Sequence, residues 1–199
     1  ARLDNSQLFP APFQLDRVFK SFLPTVRFDY QFTEFTNMEV DYDTNVDAPS
    51  VQQLQTAIDN SNPLQLRTGN PNLNQSYSNR IRLRLRSRNP DTDRSWFIFA
   101  QSQIVANTIA NSSFIAEDPI ELPGGIILEK GSQLFRPVNL DGYQDFRSWV
   151  SYGMPLGFIK SNMNVYGGLS YNKRPGEVNS QLSFNNSNRI STGVSIGSN

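Results

Sequence analysis

Arg80-Ile81-Arg82-Leu83-Arg84-Leu85-Arg86, at the centre of the stretch 76–103, alternates strictly between charged and aliphatic side chains. Because successive side chains of an extended strand leave opposite faces of the sheet, this period of two predicts a β-strand with one charged and one aliphatic face. A polar segment at 88–94 and a second extended run at 96–105 complete a predicted hairpin. The sheet must therefore separate water from an apolar environment.

The composition narrows the range of functions. The 199 residues suffice for one domain, and 18 basic residues balance 18 acidic ones, so no net charge attracts nucleic acid. The chain has no cysteine and no histidine, which removes disulfides and the usual zinc ligands. The sequence contains no run of about 18 apolar residues, so it predicts no membrane-spanning helix. The chain also begins without a signal peptide, so we expect a mature piece of a protein or an excised fragment.

The same alternation recurs along the chain and predicts an all-β, antiparallel up-and-down meander of about seven strands. Short turns are predicted near 34–37, 89–94 and 155–161, and long loops at 47–75, 108–144 and 172–181. Tilted strands of about 9–11 residues cross a bilayer, and alternating short turns and long loops are typical of outer-membrane barrels. We therefore expect 25–199 to form part of a large transmembrane β-barrel, preceded by an irregular loop segment at 1–24.

Separated motifs resemble one known family over most of residues 24–199. They are APSVQQL at 48–54, NPLQLRTGNPNL at 62–73, SYSN at 76–79, RPVNLDGY at 136–143 and SYNKRPG at 170–176. Through these motifs the chain resembles the TonB-dependent-receptor-like outer membrane β-barrel family of Bacteroidetes, as an internal or C-terminal part of the barrel. The resemblance implies a bacterial outer-membrane location and a role in nutrient uptake.

The resemblance also implies a set of partners. The outer-membrane lipid would surround the barrel, while the plug domain and the remaining barrel strands are missing from this chain. The TonB system would act through an N-terminal part that is also absent here, and a surface lipoprotein could bind the barrel from outside. The segment would then serve as a transport wall and as a scaffold for ligand-binding loops.

Charged residues of two neighbouring strands form the first candidate site. We call this set the charge ladder; it consists of Arg80, Arg82, Arg84, Arg86, Glu39, Asp41 and Asp43. The arginines could bind an anionic substrate inside the barrel. A structural role in pairing the two strands is the stronger interpretation, because the long loop between them lets the strands run antiparallel, with carboxylates opposite guanidiniums. Each such pair would stabilise the sheet by roughly 0.2–1 kcal/mol. The sequence does not fix the register between the two strands.

Aromatic residues form the second candidate site. Trp96, Tyr143 and Trp149 are predicted to lie in the aromatic belts at the two membrane interfaces, although a platform for sugar stacking is an alternative. The acidic run 41–47 begins like a calcium loop but lacks its later glycine and glutamate, so alternating acids on a strand explain it better. We expect no metal, no cofactor, no catalytic residue and no enzymatic activity.

A second function class accepts the same alternating strands. The chain could be a soluble β-sandwich module of a cell-surface protein that binds glycans or peptides. The two hypotheses differ in the fate of the apolar face, because a sandwich buries that face against a second sheet, whereas a barrel exposes it to lipid.

Overall fold

The computed structural model describes residues 2–7 and 13–198, with side chains from residue 18 onward. In chain order its elements are β1 (Arg2–Gln7), β2 (Phe13–Val18), β3 (Thr25–Thr33), β4 (Thr36–Asp47), α1 (Val51–Leu54), β5 (Gln65–Arg67), β6 (Ser76–Asn89), β7 (Arg94–Ala106), β8 (Thr108–Ile115), β9 (Ile120–Leu122), β10 (Ile126–Leu128), β11 (Gln133–Leu140), β12 (Tyr143–Leu156), a 3-10 turn (Gly157–Ile159), β13 (Ser161–Val178) and β14 (Gln181–Ser198). Within these residues, no helix combines the length and hydropathy that crossing a membrane requires.

Seven long strands form one antiparallel meander in the order β3-β4-β6-β7-β12-β13-β14. The predicted all-β class is therefore confirmed. The described chain also contains seven shorter strands, which the sequence pattern did not predict. These lie before β3 or in the two long connections of the meander. Three of them have only three residues, and the two longest, β8 and β11, do not alternate strictly between apolar and polar residues.

The alternation of the sequence becomes two chemically distinct faces of the meander. Cross-strand pairing joins Met38 to Leu85, Leu85 to Ile98, and Ile98 to Val150, so these apolar side chains form one row. We call the side with this row the apolar face. The arginines of β6 lie one residue out of phase and therefore on the opposite side, which we call the polar face.

In the part of the chain that the structure describes, no second layer packs against the apolar face. Val26, Ile104 and Ile190, on three of the long strands, remain 57%, 53% and 76% exposed. The buried hydrophobic residues of the described chain lie outside the meander; they are Leu54, Leu66, Leu73, Ala116 and Leu128. The β-sandwich alternative is therefore wrong, because it requires the apolar side chains of the strands to fill a closed interior.

Short turns lie at one end of the meander, near the predicted positions. Residues 34–35, 90–93 and 157–160 connect β3 to β4, β6 to β7 and β12 to β13. Asp93 and Lys160 have positive φ angles of 48° and 49° there. Tight hairpin connections use such residues to match the twist of the flanking strands.

The predicted loop at 172–181 is wrong. The β13–β14 ladder continues without a register shift from Ser161 opposite Ser198 to Val178 opposite Gln181. Asn179 and Ser180, with φ angles of 49° and 62°, connect the strands. Two consecutive residues with positive φ suit a two-residue turn whose twist matches the strands, so pairing extends past the Pro-Gly pair that predicted a loop.

The connections 48–75 and 107–142 fold onto each other at the other end of the meander, and we call them the loop cap. Strand β11 pairs antiparallel with β8 and parallel with β5. Two small clusters fill the cap, one around Leu54 and Leu73, the other around Leu66 and Leu128. The cap is joined to the meander where Glu177 and Val178 of β13 pair with β8.

Two local features fix the backbone of the cap. Ser50 caps α1 in a reciprocal arrangement with Gln53, which satisfies two backbone N–H groups. Gly69 donates its N–H to Gln55 O at 2.8 Å, and a Cβ at this position would lie 2.1 Å from that oxygen. Only glycine therefore allows the two chain segments to approach this closely.

The segment 1–24 differs from the predicted irregular loop. Strands β1 and β2 pair antiparallel over six residues each, from Arg2 opposite Val18 to Gln7 opposite Phe13. This pairing satisfies backbone N–H and C=O groups that an irregular segment would leave to water. Residues 1, 8–12 and 199, which belong to the predicted segments, lie outside the described residues.

Candidate functional site

The polar face of β4 and β6 holds the charge ladder. The register places Glu39 opposite Arg84, Asp41 opposite Arg82, and Asp43 opposite Arg80. Directly opposed residues of an antiparallel pair share one face of the sheet. An acid of β4 therefore faces an arginine of β6 at every second position. The structure thus supplies the register that the sequence left open.

Ion pairs of the ladder run diagonally as well as straight across. Arg84 Nη1 lies 2.5 Å from Glu39 Oε1 and 3.3 Å from Asp41 Oδ2. Arg82 Nη2 lies 2.8 Å from Asp43 Oδ1, and Arg80 Nε lies 3.9 Å from Asp43 Oδ2. Each of these three guanidiniums therefore has a carboxylate partner.

A residue of β3 that was not predicted as a site residue completes the ladder. Arg27 lies opposite Asp41, donates to Glu39 Oε1 through Nη2, and has its Nε 3.2 Å from Asp41 Oδ1. Glu39 and Asp41 are thus held between arginines of β3 and β6. The signal was present in the sequence, because Arg27 shares the polar parity of its own strand with Asp29.

Arg86 differs from the other arginines of the ladder. It lies opposite Asn37 rather than an acid, and its guanidinium lies 6.0 Å from the centre of the Phe97 ring on the next strand. An arginine at this distance gains a weak cation–π attraction. The carboxylate partners of the other arginines support the structural interpretation of the ladder, and ligand binding by these residues stays a prediction.

Trp149 and Tyr143 do not lie on the lipid-facing side of the sheet, as an aromatic belt requires. Both are on the polar face of β12, and Trp149 lies in the middle of the strand opposite Phe99 and Gly168. Its ring stacks on Tyr166 with centroids 4.9 Å apart. The interface assignment of Tyr143 and Trp149 is therefore wrong, because each is one residue out of phase with the apolar parity.

Trp96 does lie on the apolar face, near the short-turn end of β7. Its ring is 4.3 Å from that of Tyr152, the residue directly opposite on β12. Near the other end, register relations align three aromatic residues in one row of the apolar face: Tyr42, Phe146 and Tyr171. Aromatic residues at both ends of an apolar band are typical of barrels in membranes.

Comparison with family models yields a match over residues 12–197, to the model described as the outer membrane protein beta-barrel family. The chain belongs to this outer membrane β-barrel family. It is therefore part of a barrel in the outer membrane, in agreement with the two faces of the meander. No curated protein gives a significant match to the sequence.

Membership in the outer membrane β-barrel family assigns an environment to each face. In such barrels the outward side chains contact lipid and the inward ones contact a polar interior, in strict alternation. The row of Met38, Leu85 and Ile98 then faces the bilayer, and the charge ladder faces the interior. The stacked pair of Trp149 and Tyr166 lies on the interior wall.

The two tryptophans of the chain provide a direct test of this orientation. In lipid vesicles, the W149F variant retains Trp96, whose fluorescence brominated lipid should quench strongly and aqueous iodide only weakly. The W96F variant retains Trp149 and should show the reverse order, because its indole lies on the interior wall. Subtracting the fluorescence of each variant from that of the wild-type protein gives the signal of the tryptophan that the variant lacks. Equal quenching of both variants by brominated lipid would contradict the assignment of the faces.

Proposed function

We propose that this chain forms part of the wall of a TonB-dependent receptor that takes up a nutrient across the outer membrane. The observation that carries the proposal is the combination of a polar interior wall with a folded cap on its long-loop end. The wall gives a hydrated interior, and the cap offers hydrogen-bonding groups to the outside. The motifs at 48–54, 62–73 and 136–143, which resemble TonB-dependent receptors of Bacteroidetes, lie in this cap or at its border with β12.

The topology supports a wide barrel. In the described residues, β3 and β14 are the two edge strands of the meander. An exposed edge strand has unpaired backbone N–H and C=O groups that can bind a further strand. Bacterial single-chain barrels have an even number of strands, and outer-membrane transporters with a plugged interior have about 22. We propose that additional strands pair with β3 and β14 and close the barrel.

The proposal assigns partners by the chemistry of each surface. Outer-membrane lipid would cover the apolar face, a plug domain would occupy the interior, and the TonB system would act on that plug. A surface lipoprotein would meet the loop cap. The barrel wall would have no catalytic role and would not bind nucleic acid.

A growth comparison tests the proposal. Strains lacking either this protein or TonB would be grown on a panel of single carbon, phosphorus and metal sources. We expect the first strain to fail on a subset of the sources on which the second strain fails, with growth restored by the wild-type gene. If the first strain shows a growth defect that the TonB-deficient strain does not share, or no defect on any source, coupling to TonB is excluded.

A further inference from the structure

A second group of arginines on the polar face lies apart from the charge ladder. Arg147 of β12, Arg174 of β13 and Arg189 of β14 line an open groove together with Asp145 and Asn172. We call this group the arginine groove. It contains three guanidiniums and one carboxylate, whereas the ladder distributes its guanidiniums over several acids.

The single carboxylate of the groove is already occupied. Asp145 is only 5% exposed, its Oδ1 lies 3.0 Å from Arg147 Nε, and its Oδ2 accepts a hydrogen bond from Asn172 Nδ2 at 3.1 Å. A buried carboxylate needs such partners, so Asp145 is committed to Arg147 and Asn172. Its negative charge is not available to the other two arginines.

Among the described residues, Arg174 and Arg189 have no charged partner. Arg174 Nε donates to Asn172 Oδ1 at 2.8 Å, which is a neutral acceptor. Arg189 has no hydrogen-bond or ion-pair partner within the part of the chain that the structure describes. Two positive charges therefore remain uncompensated on adjacent strands, on the face that points to the barrel interior.

The register gives the groove a shape suited to an oxyanion. Arg147, Ser170 and Arg189 form one row across three strands, so the backbones of the two arginines are about 9–10 Å apart with a small hydroxyl side chain between them. Arg174 lies four residues further along β13, on the same face as Ser170. The three arginines thus line one groove together with the small polar side chains of Ser170 and Ser187.

From this geometry we propose that the arginine groove binds a small ligand through a carboxylate or phosphate group. Guanidiniums donate paired hydrogen bonds to both of these groups, and such charge-assisted bonds are stronger than neutral ones. The site depends on the orientation of the barrel wall. The proposal adds an anionic ligand class to the proposed function. Binding in the groove does not depend on that function, whereas import of the bound ligand does.

Titration calorimetry of the full-length protein in detergent tests the groove. The probes are citrate for the carboxylate and inorganic pyrophosphate for the phosphate, each against wild-type protein and the R174Q and R189Q variants. The R136Q variant is the matched control, because it removes the same charge from an exposed arginine in the loop cap. We expect binding of at least one probe, about tenfold weaker in each groove variant and unchanged in the control.

The outcomes separate the alternatives. If neither probe binds to wild-type protein, or if R136Q weakens binding as much as R189Q, the groove is not the anion site. If no probe binds and the groove variants lower the unfolding temperature relative to R136Q, an acidic segment of the protein itself occupies the groove, which also overturns the proposal. The relative affinities for citrate and pyrophosphate show whether the groove prefers a carboxylate or a phosphate group. Calorimetry does not involve TonB, so its result is independent of the growth comparison.

Discussion

Replacing Leu83 with arginine should lower the free energy of unfolding in a lipid bilayer by about 2–4 kcal/mol. Leu83 lies midway along β6 on the apolar face, opposite Val40 and Ala100. A guanidinium there must leave water for hydrocarbon or deform the bilayer around it. The measurement is the guanidinium chloride unfolding curve of the full-length protein refolded into vesicles, compared with wild type.

The matched control introduces the same side chain on the other face. Asn164 of β13 lies on the polar face, opposite Gly153 and Ser195, and is exposed. The N164R variant should change the free energy of unfolding by no more than about 0.5 kcal/mol, the usual range for surface substitutions. An equal loss of unfolding free energy for L83R and N164R would mean that the two faces of the sheet do not contact different environments.

Replacing Asp41 with asparagine should lower the free energy of unfolding by about 1–2 kcal/mol. The Asp41 side chain is 13% exposed and lies 3.2 Å from Arg27 Nε and 3.3 Å from Arg84 Nη1. Its neutralisation leaves the guanidiniums of Arg27 and Arg84, on the strands at either side of β4, with only Glu39 between them. The same vesicle unfolding experiment measures the loss, and raised salt should reduce it.

Asp29 provides the matched control for the ladder. Its side chain is 66% exposed and its one ion pair in the described residues is with Arg27 at 3.7 Å. Exposed pairs of this kind contribute little, so D29N should cost less than about 0.5 kcal/mol. A loss for D41N no larger than that for D29N would show that the ladder does not stabilise the wall.

The interior wall combines two charge arrangements with different consequences. In the ladder, acids on β4 hold the arginines of β3 and β6, which stabilises the contact between neighbouring strands. In the arginine groove, Asp145 holds Arg147 alone, and Arg174 and Arg189 keep their charge for a ligand. Both arrangements use the same face and the same residue types. The distribution of carboxylates over the strands decides which arginines are available for binding.

Local patterns of the sequence were sufficient for several features of the site. The parity of Arg80 to Arg86 placed these side chains on one face, and the parity of Phe146 and Val150 placed theirs on the other. The same rule, applied to Trp149, would have put this residue on the polar face, but its residue type suggested a membrane interface instead. The outcome shows that position within a strand outweighs residue type in assigning a face.

The sequence by itself determined that the chain forms amphipathic antiparallel strands with short turns at one end, because a period of two is a local property of the extended backbone. The tertiary structure alone decided that Glu39 faces Arg84, that Arg27 joins the ladder, and that β13 pairs with β14 through Val178. It also decided that the two long connections share one cap. These features depend on the register between strands distant in sequence, and register is set by turn geometry and by packing across the whole sheet.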